Sequence, residues 1–179
     1  MRHTLLARSV SQGLGPAMLG SLANLEGATM AVLARRLMLF VLAVLATEIL
    51  AALASTQFVL AGLTDLGVTV TFAQRLTMTL QDIVGMMGIY LPVLAFALAL
   101  GFGFTAIVLR RLDISWGTWA AWGYPCAGFV AVLTALFAVF SLFDITPIAG
   151  ARSTAGLFAQ GLAGALGGAL FYRGLKAEG

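Results

Sequence analysis

Four apolar runs, each longer than a bilayer crossing, leave this chain few folds to adopt. They cover about 37–63, 83–109, 116–143 and 145–172. A helix needs about 20 residues, at 1.5 Å rise each, to cross the hydrocarbon core. Periodicity alone cannot separate helix from strand in such runs, but their length decides for helix. Composition agrees, with 61% hydrophobic and 9% charged residues, where soluble domains carry about 25% charged. The expected fold is an all-α integral membrane protein, a four-transmembrane-helix up-down bundle.

Orientation follows from the basic residues, because cytoplasmic loops collect Lys and Arg. With the N-terminus inside, Arg2, Arg8, Arg35, Arg36, Arg110, Arg111, Arg173 and Lys176 are all cytoplasmic, and only Arg75 and Arg152 fall outside. The expectation is therefore N-in/C-in, as a multi-pass protein of a bacterial inner (plasma) membrane with both termini cytoplasmic. Trp116, Trp119 and Trp122 cluster at the start of the third span and Tyr172 closes the fourth, which is where interfacial aromatics belong.

The membrane domain is read as 34–175. Residues 1–33 are read as a cytoplasmic N-terminal tail, either disordered or an extension upstream of a true start at Met30, where "MAVLARRLMLF" begins. A rival reading takes "ALA" at 52–54 as a signal-peptide cleavage site. The apolar run that continues beyond it and the glutamate inside it count against cleavage. Between the first two spans, "TDLGVTVTFAQRLTMTLQD" at 64–82 is the sizeable external piece. Val70, Phe72, Ala73, Leu76 and Leu80 among polar residues read as a short amphipathic helix on the outer surface.

Several chemistries are excluded by what the sequence lacks. One cysteine, Cys126, allows no internal disulfide and no CxxC site, and one histidine, His3, allows no bis-histidine haem within the chain. No phosphate-binding, zincin or nucleophile-elbow motif occurs. Neither a metal nor a cofactor is expected, and no nucleic acid partner, since the net charge of +3 is spread over helix ends.

Polar residues inside the spans are the candidate site. Counted at the helical rise, Glu48 lies about 18 Å beyond Arg36, and Gln160 about 20 Å from Arg173. Cys126 lies about 20 Å beyond Asp113, next to Tyr124 in "GYPCAG". A carboxylate at the bilayer centre costs about 2.5–3.5 kcal/mol on insertion scales, so Glu48 must face inward, be neutralised, or both. A neutral Glu48 can donate to the Gln160 carbonyl and accept from its amide, and that pairing is the expectation. Arg152, with Asp144, Asp82 or Asp65 as partner, is read as an interfacial charge set at the outer ends. Gly156, Gly164 and Gly168 share a helical line with Gln160, and small residues four apart let another helix approach closely. Pro92 and Pro125 should kink their helices.

Three functions fit these residues. The first is a homo-oligomeric transporter or channel-type protein with Glu48 and Gln160 on its path. The second is a non-catalytic accessory subunit that packs its glycine face against a larger membrane complex. The third and weakest is an enzyme acting on lipids or quinones, for which no nucleophile–base pair or metal set can be assembled. The chain is therefore read as a non-enzyme whose partners are the bilayer and either its own copies or a larger complex.

Overall fold

The computed structural model describes residues 16–112, 117–143 and 153–177. Among these the regular structure is helical throughout: α1 Pro16–Asp65, α2 Phe72–Met87, α3 Tyr90–Arg111, α4 Thr118–Phe143 and α5 Thr154–Lys176. Four stretches are long and apolar enough to cross a membrane: Asn24–Asp65 in α1, Tyr90–Arg111, Thr118–Ser141 in α4, and Thr154–Lys176. This is the make-up of a multi-pass membrane protein. The chain divides into two compact units, Met1–Met38 and Leu39–Gly179. In the first, residues read from sequence as a tail are helical from Pro16, and side chains 24–38 are exposed.

The second unit holds the packed structure, and its helix ends have local causes. At the end of α1, Gly67 takes φ 83°. The Val68 N–H bonds the Leu63 carbonyl at 3.1 Å and the Gly67 N–H bonds the Thr64 carbonyl at 2.9 Å. That pair of bonds is a Schellman motif, which needs a left-handed residue best supplied by glycine. Four residues later Thr71 starts α2 with a capping box. Its hydroxyl accepts from the Gln74 N–H at 3.3 Å, and the Gln74 side chain accepts from the Thr71 N–H at 2.9 Å.

The second apolar run is not one helix. It is interrupted at Gly88–Ile89, between α2 and α3. Pro92 explains the position: it has no N–H for the Gly88 carbonyl, and its ring crowds that carbonyl. The kink expected at Pro92 is thus expressed one turn earlier, and the crossing helix begins at Tyr90 rather than near residue 83. The fourth run also starts later than expected, at Thr154, where Ser153 caps the Gly156 N–H at 3.0 Å. Residues 144–152, which contain Asp144, Pro147 and Arg152, lie outside the described residues, as does Trp116.

The helices carry their large apolar residues outward. Phe96, Leu100, Phe104 and Ile107 on α3 and Phe158, Leu162, Leu166 and Leu170 on α5 are exposed, at the spacing of one helical face. A water-soluble protein would place charges there. Inward faces are small. A methyl added at Gly164 would meet the Gly128 carbonyl, and one at Gly168 the Tyr124 carbonyl, so α4 and α5 touch backbone to backbone. One added at Gly167 would meet Thr47, and one at Gly174 would lie 2.5 Å from Leu39 Cδ2, so α5 also packs tightly on α1. A methyl at Gly101 would lie 3.2 Å from the Ala127 carbonyl, joining α3 to α4.

The α2 helix is amphipathic, with its apolar face turned out. Phe72, Leu76, Leu80 and Val84 are exposed, while Arg75, Thr79, Asp82 and Met86 lie on the more buried side. Its polar face is tied to α1: Arg75 donates to the Gln57 side-chain Oε1 at 3.3 Å, and Thr56 donates to the Asp82 carboxylate at 2.7 Å.

Candidate functional site

One face of α1 buries a stripe of small and polar residues. Ala43, Val44, Thr47, Glu48, Ala51, Ala52, Ser55 and Thr56 recur every three or four positions and are all buried, as one helical face requires. The threonines find partners: Thr47 donates to the Ala43 carbonyl at 2.8 Å, and the Thr56 hydroxyl lies 2.7 Å from the Asp82 carboxylate and 2.9 Å from the Ala52 carbonyl, sharing one proton between them. Glu48 has no such local outlet. It is 0% exposed and neither carboxyl oxygen has a hydrogen-bond partner among the described residues.

Gln160 comes to the same place from α5. It too is 0% exposed, and its side-chain amide donates to the Ala51 carbonyl at 2.9 Å. The direct Glu48–Gln160 pair expected from sequence is therefore not formed. The amide instead takes a backbone carbonyl one turn beyond Glu48, open to it because Ala51 has only a methyl side chain. The Gln160 carbonyl oxygen remains without a partner.

A third buried polar group without a partner among the described residues is absent from the sequence reading. Tyr90, the first residue of α3, is 7% exposed, and its hydroxyl has no partner among the described residues. Its place becomes visible only once Pro92 is seen to break the run at Gly88–Ile89, just before it. The orphaned buried side-chain atoms among the described residues are both Glu48 carboxyl oxygens, the Tyr90 hydroxyl and the Gln160 carbonyl. Buried polar groups are paired in the large majority of cases, and an orphan costs about 1–3 kcal/mol. Three of the four atoms here can only accept while Glu48 is ionised. Such a set suits a proton or another donor-bearing cation, which supplies what the side chains lack.

The other expected site residues fall elsewhere. Tyr124 is buried, but it packs into an aromatic cluster with Phe102, Phe171 and Tyr172 at centroid distances of 5.8, 5.5 and 6.4 Å. Phe102 and Phe171 stack at 4.9 Å, and Phe40 closes the cluster edge-on to both at 6.2 Å. Cys126 is exposed. Asp82 is bound to Thr56, and the proposed partners Arg152 and Asp144 are outside the described residues. Gly156 is buried at the start of α5. The glycine line divides: Gly164 and Gly168 meet α4, while Gln160 and Gly167 meet α1. No cluster of metal-ligating side chains is present among the described residues.

Comparison of the chain with protein-family models, curated proteins and solved structures finds no match.

Proposed function

We propose that the chain is a small proton-coupled transporter or channel-type protein, acting as a homo-oligomer, in which Glu48 binds and releases a proton inside the membrane. The observation that carries this reading is the orphaned group of Glu48, Tyr90 and Gln160. A carboxyl kept only to clamp helices would be hydrogen-bonded, as intramembrane polar clamps are. An acid held without partners in the spans is instead a functional group by default. Adding one proton gives Glu48 a donor, which a turn of its side chain can offer to the Gln160 carbonyl.

The accessory-subunit reading loses its main support, because Gly164, Gly167 and Gly168 are occupied by neighbouring helices of the same chain. In the proposed setting both termini are cytoplasmic in a bacterial inner membrane, as the distribution of Arg and Lys favours. The helices are taken to alternate as an up-down bundle.

A hydrophobic carbodiimide, which couples to protonated carboxyls from the lipid phase, tests the reading. It should modify the wild-type protein at Glu48, with labelling that declines as pH is raised, and should leave Glu48→Gln unlabelled at that position. Absence of labelling at every pH in folded protein would remove the reading.

A further inference from the structure

We infer that the groove on the outer side of α3 and α4 seats the α5 ridge of a second copy of this chain. This rests on the homo-oligomer of the proposed function and names its contact surfaces. Both surfaces belong to the second compact unit, Leu39–Gly179.

The groove follows from residue size. Ala97, Gly101, Ala127, Ala131 and Ala135 form its floor, where small side chains bring α3 and α4 close together. Phe96, Leu100 and Phe104 on α3 and Val130 on α4 stand exposed along its edges. Large walls over a small floor leave a trough of about 610 Å³, far more than the water-sized voids of a packed interior. Thr134 is the one polar side chain among the described residues that line it, so an apolar occupant suits it.

The ridge has the complementary shape. Phe158, Leu162, Leu166 and Leu170 are exposed at intervals of four along α5, the kind of row that packs into grooves between helices. From Phe158 to Leu170 the row is about 18 Å long, and the α3 side of the groove, Val93 to Phe104, is about 17 Å. The two also stand at one height. A methyl on Gly101 would lie 3.2 Å from the Ala127 carbonyl, and the next residue, Gly128, abuts Gly164. A methyl on Gly123 would lie 3.2 Å from Thr105, and the next residue, Tyr124, abuts Gly168. Gly101 is thus level with Gly164, and Thr105 with Gly168, so the groove lies at the height of the α5 stretch that carries the ridge. At this height α1, fixed by Thr47 against Gly167 and Ala51 against Gln160, exposes Ile49 and Leu53, each less than any ridge residue.

A bilayer holds every copy at the same depth. A neighbour turned about an axis along the helices therefore brings its ridge to the groove without sliding. No ridge residue lines the groove, so the two surfaces are distinct and the contact is head-to-tail, of the kind that closes into rings.

The test is disulfide formation between full-length copies in lipid. In a Cys126→Ala background, Leu100→Cys and Leu166→Cys are placed in separate copies that bear different tags and are co-expressed. Mild oxidation should join the two tags, while neither variant alone forms a covalent dimer. Phe104→Cys with Leu170→Cys, one turn along, should join in the same way, and Leu100→Cys with Ile49→Cys should not. Leu100→Cys dimerising by itself would mean that grooves face each other, and would overturn the seat. So would an oligomer, by intact-complex mass, in which neither pair joins. A strict monomer, whose groove takes lipid chains only, overturns the seat and the homo-oligomer together. Carbodiimide labelling of Glu48 in the same membranes separates each of these failures from failure of the proton site.

Discussion

At the level of single residues, Glu48 holds an unfavourable position that nothing in its own helix relieves. The adjacent Thr47 returns its proton to the carbonyl four residues back, whereas a carboxylate has no proton to return. Removing the acid should therefore stabilise the protein. Glu48→Leu is expected to raise stability by about 1–3 kcal/mol, the penalty of a buried orphan, read as a higher unfolding temperature in mild detergent. Tyr90→Phe should be neutral or slightly stabilising by the same measurement, since its hydroxyl bonds nothing among the described residues. A large loss in either variant would mean that those groups are clamps. The glutamate and the glutamine were legible in the sequence because each interrupts an apolar run. Their geometry was not: the Gln160 amide takes the Ala51 carbonyl, a choice that depends on how α5 sits against α1. Tyr90 was hidden among ordinary aromatics until the helix break placed it.

Elements were read well where length and charge mark them, and less well where caps and prolines do. Arg110–Arg111 ends α3 as expected, with basic side chains at the negative end of the helix. The T-x-x-Q box at Thr71–Gln74 was printed in the sequence, and it separates α2 from the loop more sharply than hydrophobicity does. Pro92 was noticed, but its effect falls at Gly88, one turn towards the N-terminus. The glycine line of α5 was also noticed, yet a helix with small residues on two adjacent faces can serve two neighbours, and this one does. The consequence is testable. Gly164→Val pushes side-chain atoms into the Gly128 backbone and should cost about 1–3 kcal/mol, or the folded yield altogether, as overpacking does. Gly103→Val, with open space around it, is the matched control and should leave the unfolding temperature nearly unchanged. If both behave alike, the close α4–α5 contact is not present in the folded protein.

For the molecule as a whole, apolar runs set the fold class because length and composition are readable without knowing any contact. What those runs do not carry is how the helices meet. In the assembled unit aromatic rings from four helices pack into one cluster, and hydrogen bonds from Thr56 to Asp82 and from Arg75 to Gln57 join α1 to α2. The reading turns on a single carboxyl that gains and loses a proton inside the membrane part of the structure. Infrared difference spectroscopy of the protein in lipid, recorded between acidic and alkaline buffer, observes that event through the carbonyl stretch of a protonated carboxyl. The wild-type spectrum should contain a band that fades as pH rises, vanishes in Glu48→Gln, and shifts in Tyr90→Phe. A spectrum with no such band, or one that Glu48→Gln leaves unchanged, would contradict it.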